Sequence, residues 1–220
     1  MPRGLPASHH SDTMENMDVY RQPRSPIRVA CVGDSITYGF RLPRRKQTCY
    51  PQVLGRLLGD ACRVRNFGVI GAIACKGSIK SYTRTREYRR SLAFRPSIVI
   101  VMLGTNDAKP RYWKGTSAFR DAMLRLLTDY QNLPSVPTVA CILPPQTYRN
   151  RYHIREDIMQ TIRDILKSLP FPFVEIPPGY VTVGPDGIHP DVKGANAIAQ
   201  IAFTTLCKKG GSAAPHSSDV

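Results

Sequence analysis

No apolar stretch of this chain reaches the ~20 residues needed to cross a bilayer, and residues 1–26 lack the apolar block of roughly 7–15 residues that marks a secretory leader. A cytoplasmic protein is the expectation. Paired cysteines are missing as well. The six present (Cys31, Cys49, Cys62, Cys75, Cys141, Cys207) are scattered without a Cys-x-x-Cys pair. Cys31 and Cys141 fall inside apolar runs, where a reduced thiol packs as a small hydrophobe. This spacing speaks against a disulfide framework and against a zinc site, and no metal or other cofactor is expected. No repeat of fixed period is visible. Acid is scarce: 16 Asp and Glu stand against 31 Lys and Arg, a net charge of +15.

Much of that charge is local. Arg41, Arg44, Arg45 and Lys46 form one cluster, and residues 76–95 carry Lys76, Lys80, Arg84, Arg86, Arg89, Arg90 and Arg95 against the single acid Glu87. Such surfaces attract nucleic acid, anionic lipid or an anionic substrate, and they also keep a protein soluble. At 220 residues the chain suits one domain with flexible ends. Residues 1–26 mix Pro, Ser, His and charge without periodicity and read as a disordered extension, and residues 208–220 read as a flexible tail. The domain proper is then 27–207.

Inside it, strand-like and helix-like stretches alternate. Residues 27–33, β-branched or small and bounded by Pro26 and Gly33, predict a strand buried on both faces. Residues 50–59 predict a helix with Pro51 in its first turn and Gly59 as its stop. A short strand follows at 62–68, and residues 76–95 are polar and partly helical. Residues 97–104 are the most apolar run and should form the central strand. Helical spacing marks 118–133, 154–169 and 191–207, and strands are expected at 136–143 and 171–176. This order predicts parallel βαβ units, an α/β fold with a doubly wound sheet and helices on both faces.

Four loops at the carboxyl ends of strands hold polar residues that a plain turn does not need. Asp34 and Ser35 follow the first strand, Gly71 the second, Gly104-Thr105-Asn106-Asp107 the central one, and Asp186-Gly187-Ile188-His189-Pro190 precedes the last helix. A parallel sheet brings all four to one crevice. Together they supply acyl-transfer chemistry. A serine hydroxyl is a weak nucleophile until a neutral imidazole accepts its proton, and the imidazole needs a third group to fix its tautomer. Ser35, His189 and Asp186 fill those roles. The backbone N–H groups of Ser35 and Gly71 and the amide of Asn106 are candidate donors to the oxyanion, glycine letting the backbone approach without a Cβ. Asp107 reads as a turn builder and Asp34 as a brace for its loop. Asp34, Lys109 and Trp113 are the candidates for touching substrate, with Trp113 lying either in the core or along the crevice.

These four blocks, in this order, closely resemble those of the SGNH hydrolases, also called GDSL esterases and lipases. The resemblance runs from about Ile27 to about Cys207. The first block has Ile36 where many members carry Leu, a volume-conserving change. The resemblance implies a flavodoxin-like three-layer α/β/α sandwich and metal-independent hydrolysis of esters or thioesters, with Ser35 as nucleophile, His189 as base and Asp186 as its partner. Residues 109–113, Lys-Pro-Arg-Tyr-Trp, resemble a bacterial branch assigned as carbohydrate O-acetylesterases or lysophospholipase-like enzymes.

The expected function is therefore hydrolysis of a small-molecule, short-chain acyl ester, O-acetyl on carbohydrate foremost. The polar segment 76–95 cannot wall a long acyl groove without burying charge. It could instead flank a hydrated leaving group, with Lys109 and Trp113 opposite. A lysophospholipase or thioesterase with the same machinery is the alternative. A basic nucleic-acid-binding module on the same fold is the alternative of another class. The complete nucleophile, base and donor set argues against it, so nucleic acid is not an expected partner.

Overall fold

The computed structural model describes residues 25–210; most of the extension and tail expected at the chain ends lies outside them. Five strands, β1 (Ile27–Gly33), β2 (Cys62–Gly68), β3 (Ile98–Met102), β4 (Thr138–Ile142) and β5 (Phe173–Val174), form one all-parallel sheet in the order β2-β1-β3-β4-β5. The strand predicted to be central is central. The chain winds outward in both directions from β1, so the carboxyl ends of β1 and β3 frame the switch point where open α/β sheets keep their ligands. Gly33 lies opposite both Gly68 and Met102, and the three strands end level.

Alternation along the strands feeds two cores. Ala30 and Val32 of β1 and Val99 and Val101 of β3 face one side, where they pack with Phe119, Met123 and Leu127 of α5 (Thr116–Gln131) and Met159, Ile162 and Leu166 of α6 (Glu156–Lys167). Val29, Cys31, Ile100 and Met102 face the other, against Tyr50, Val53 and Leu54 of α3 (Tyr50–Leu58) and Ile198, Ala199 and Ala202 of α7 (Val192–Gly210). The result is the three-layer α/β/α sandwich, with strands apolar on both faces as a covered parallel sheet requires.

Several boundaries differ from the sequence pattern, each for a local reason. The last strand keeps two residues rather than six, because Pro172 before it and Pro177 and Pro178 after it have no N–H to give a ladder. The helix expected from residue 154 begins at Glu156, since the Ile154 N–H is held by Asn150 Oδ1 at 3.1 Å. After β1 the helical pattern is a single turn, α1 (Ser35–Tyr38), stopped by Gly39 at φ 83. The basic cluster at 41–46 contains a second one-turn helix, α2 (Arg45–Thr48). In the polar segment, α4 (Arg86–Ala93) starts where the Thr85 side chain caps the Tyr88 N–H. The last helix continues past Cys207 to Gly210.

At the switch point two strand ends and α1 approach closely enough to exclude a Cβ. An added carbon on Gly68 would lie 2.7 Å from the Thr37 carbonyl carbon and closer still to Tyr38 N, both backbone atoms that cannot swing aside. Gly68→Ala should therefore lower stability by about 1–3 kcal/mol through overpacking and displace α1. Urea unfolding of the purified variant checks this, and an unchanged midpoint would show that α1 is free to move away from β2.

Candidate active site

β1 delivers Ser35 to the first position of α1, where Asp34 Oδ1 accepts the Ile36 N–H at 2.9 Å. Ser35 Oγ stands 2.9 Å from His189 Nε2, and His189 Nδ1 stands 2.8 Å from Asp186 Oδ2. With a carboxylate at Nδ1, that nitrogen carries the proton, and Nε2 is left to accept from the serine hydroxyl. Asp186 Oδ1 takes the backbone N–H groups of Ile188 and His189 at 3.1 and 3.0 Å. Burial pushes the Asp186 carboxyl up, but the bonds from the His189 ring and from these two amides outweigh it and hold the group below the usual carboxylate range.

His189 is enclosed on two sides. Phe40 meets its ring edge-on at 5.0 Å between centroids, and Tyr152 does so at 5.7 Å and 89°. Burial lowers its pKa from the ordinary value; Asp186 pulls the other way without prevailing, and Arg41 and Lys109 add to the lowering. Arg41 Nε lies 3.5 Å from Asp186 Oδ2.

The remaining members of the sequence-derived set meet Ser35 in one small cavity of about 130 Å³, lined by Gly71, Thr105, Asn106 and His189 and closed by Phe40, Ile70, Lys109, Tyr152, Ile154 and Ile188. Ser35 opens a helix, so its backbone N–H has no intrahelical partner. Gly71 holds φ at 76, the left-handed region that glycine tolerates. One hydrogen of the Asn106 amide is fixed on the Ala72 carbonyl at 3.1 Å, which orients the group and leaves its second hydrogen for the cavity.

One side chain differs from expectation, and one that the sequence leaves open between core and crevice is placed in the core. Asp107 is no local turn builder: its carboxylate reaches across to the loop after β2 and accepts from Ala74 N and Cys75 N, all at 3.0 Å. It joins the loop carrying Gly71 to the loop carrying Asn106, and burial raises its pKa to about 6. Trp113 does not line the cavity; it lies tilted against Phe119 at 6.2 Å on the α5 side of the core. Asp34 is fully buried behind Ser35 and braces the turn, and burial raises it to about 7. Lys109 does reach the cavity wall, its ammonium 5.8 Å from the Tyr152 ring centre.

The basic segment turns its aromatic residues inward. Tyr82 is buried, its hydroxyl donating to the Phe67 carbonyl at 2.8 Å, and Tyr88 and Phe94 pack against the same core. Lys80 comes near the site, its Nζ 4.0 Å from the point where a Gly71 Cβ would stand.

The sequence reading missed the loop 144–155. It supplies Tyr152 and Ile154 to the cavity and rests on the histidine loop: Tyr148 N donates to the Gly187 carbonyl at 2.9 Å, and a Cβ on Gly187 would come within 2.5 Å of the Arg149 carbonyl oxygen. Asn150 holds its shape by accepting from Tyr152 N and Ile154 N. A stretch of roughly a dozen residues without regular structure beside a site is itself a functional signal.

The profile of the GDSL-like lipase/acylhydrolase family matches residues 31–197. An acetylxylan esterase of Xylanibacter ruminicola is 28% identical over 206 residues, covering 82% of this chain. The chain spans 43% of that protein's length, less than half. Among solved structures, the inhibitor-bound aryl esterase of M. smegmatis superposes with a TM-score of 0.68 at 19% identity, over 83% of this chain and 99% of that one. A carbohydrate acetylesterase from Sinorhizobium meliloti gives a TM-score of 0.68 at 16% identity over the same shares, 83% and 99%. At such identities the structural likeness establishes the fold. The four loop blocks lie within the matched span, and the chain belongs to the GDSL-like lipase/acylhydrolase family.

Proposed function

We propose that this chain is a serine esterase that removes short acyl groups, O-acetyl on carbohydrate foremost, with Ser35 as nucleophile, His189 as general base and Asp186 as its orienting partner. The observation that carries the reading is the continuous line Ser35 Oγ, His189 Nε2, His189 Nδ1, Asp186 Oδ2, with steps of 2.9 and 2.8 Å, at the wall of a cavity that also holds Gly71 and Asn106. Ser35 attacks the acyl carbonyl while its proton passes to His189 Nε2. The oxyanion so formed meets the N–H groups of Ser35 and Gly71 and the Asn106 amide. His189 then protonates the departing alkoxide, and water repeats the sequence to free the acid and Ser35. Asp186 stabilises the imidazolium between these transfers.

Acyl length follows from space. At about 130 Å³ the cavity over Ser35 is well below the ~300–1,000 Å³ of pockets that enclose drug-sized ligands. An acetyl group suits it. The relative named acetylxylan esterase points the same way.

Ser35→Ala should cut turnover of an aryl acetate by about 10⁴-fold or more and abolish labelling by a fluorophosphonate, with circular dichroism unchanged. Undiminished turnover would remove Ser35 as nucleophile.

The base must be neutral, and a lowered pKa keeps it neutral further into acid. The acid limb of kcat/KM should therefore have its midpoint below the ordinary histidine value of about 6.5, activity rising with pH through it and then levelling. Burial raises Asp107 to about 6 and Asp34 to about 7, so the profile should be repeated on Asp107→Asn and on Asp34→Asn. A limb that vanishes in either variant, or a midpoint that stays above the histidine value in both, contradicts the assignment.

Along a series of aryl esters from acetate to palmitate, below micelle formation, kcat/KM should fall once the acyl chain outgrows the cavity. A steady rise toward the long chains would replace the short-acyl reading with a lysophospholipase.

A further inference from the structure

Two larger cavities are lined by residues on the loops around the acyl cavity, and their walls share one property. A cavity of about 460 Å³ is lined by Arg41, Arg149, Asn150, Arg151, Pro185 and Asp186. A second, of about 470 Å³, is lined by Lys109, Pro110, Arg111, Arg151, Tyr152 and His153. Arg151 borders both, and Lys109 and Tyr152 also border the acyl cavity. The only acid in either wall is Asp186, and it is already engaged: Oδ1 by two backbone amides, Oδ2 by His189 and Arg41. Arg149 and Arg151 form no ion pair with any of the described residues. Each other arginine and lysine of these walls is likewise without a carboxylate of its own, Arg41 excepted.

Arg149 and Arg151 are exposed, and neighbouring contacts place them and the other cations of these walls. Arg151 lies 5.4 Å and Lys109 5.8 Å from the centre of the Tyr152 ring, and that ring stands edge-on to His189. The Arg149 backbone is seated on Gly187 of the histidine loop. Arg41 holds a left-handed φ of 67, an unfavourable backbone for a residue with a Cβ, with its guanidinium on Asp186. The guanidinium groups of Arg149 and Arg151, with no carboxylate paired to them among the described residues and beside a space too large for the acyl group, match an oxyacid group, which takes paired N–H donors in a plane.

Resting on the esterase reading above, we propose that the alcohol side of the ester carries an anionic oxyacid group, a carboxylate or a phosphate, which seats between Arg149 and Arg151 while the acyl group occupies the cavity over Ser35. The cations then select the substrate through the part that leaves, and the reaction remains ordinary acyl transfer to water.

The test compares matched pairs: an O-acetylated methyl glucuronoside against the O-acetylated methyl glucoside, and acetylglycerol phosphate against acetylglycerol. The charged member of at least one pair should have the higher kcat/KM by roughly tenfold or more, mainly through KM. The pair that responds identifies the anion as carboxylate or phosphate. The preference should shrink as salt rises from about 0.05 to 0.5 M, because screening reaches such exposed groups. It should collapse toward unity in the double variant Arg149→Gln/Arg151→Gln; Arg41 is left intact because it touches Asp186. Ratios near one in both pairs, or a preference that survives in the double variant, overturn the proposal. Calorimetric titration of glucuronate and of glycerol phosphate into the parent protein and the double variant reads the site without turnover. Absence of hydrolysis of every ester, with anion binding that depends on the two arginines, would sink the esterase reading and keep the anion site. Hydrolysis of the neutral acetates without such binding would do the reverse.

Discussion

The site depends on how closely backbone can approach backbone at the switch point. β1, β2 and β3 end level, and α1 must fit across their ends with Ser35 facing the crevice. Gly33 and Gly68 permit this by lacking a Cβ: one added to Gly33 would lie 2.5 Å from the Met102 carbonyl oxygen, and one added to Gly68 would meet the backbone of α1. The Asn66 amide then fastens the assembly, donating to the Thr37 carbonyl at 2.7 Å and accepting from Gly68 N at 2.8 Å. Beneath the turn, Thr37 Oγ1 and the Tyr50 hydroxyl lie 3.2 Å apart, so the helix that covers this face of the sheet also supports the turn that carries Ser35. Packing, hydrogen bonding and the position of Ser35 are thus a single constraint.

Three carboxylates around that turn accept backbone N–H groups, Asp34 and Asp186 within their own loops and Asp107 from the loop after β2. Asp34 takes one amide, Asp107 takes two, and Asp186 takes two plus the His189 ring. The pKa values follow the same order: burial lifts Asp34 to about 7 and Asp107 to about 6, whereas Asp186 is held below the usual range. Each donor to the ionised form offsets part of the desolvation cost. Asp34 Oδ2 has no partner among the described residues, so near neutrality a substantial share of Asp34 carries a proton. Asp186, the one of the three held below the usual range, is also the one carboxylate in contact with His189.

The parallel sheet, its central strand and the meeting of Ser35, Gly71, Asn106 and His189 at one edge were legible because strand periodicity and the turn chemistry at strand ends are local signals. Interactions that join distant loops were not. Asp107 reads as a turn residue until the loop after β2 is seen folded against it, since its partners Ala74 and Cys75 lie more than 30 positions away and give no spacing to detect. Trp113 follows the Asn106 block in sequence but turns toward α5, and only the packing of Phe119 decides that direction. The loop 144–155 lacks periodicity, and its role depends on Gly187 leaving room for the Arg149 carbonyl. A glycine in the histidine loop was visible; the chain pressed against it was not.

The basic character of the chain acquires a specific meaning at this mouth. In residues 76–95 the aromatic side chains join the core, so the segment is part of the body of the fold. Arg41 and Lys109, by contrast, stand close enough to His189 to lower its pKa. In the mechanism proposed above, a cation there opposes the imidazolium formed when Ser35 gives up its proton, yet the same step creates an oxyanion in the adjoining cavity, which a cation favours. The positive wall therefore opposes one end of the transition-state ion pair and supports the other. Asp186 makes this tolerable: it stands 2.8 Å from the imidazole, its charge held by three donors, and offsets the repulsion at the histidine end alone. On this account Arg41 has two opposed effects, repelling the imidazolium directly while pairing with the carboxylate that stabilises it, and the geometry that unites them is the 3.5 Å contact between its Nε and Asp186 Oδ2.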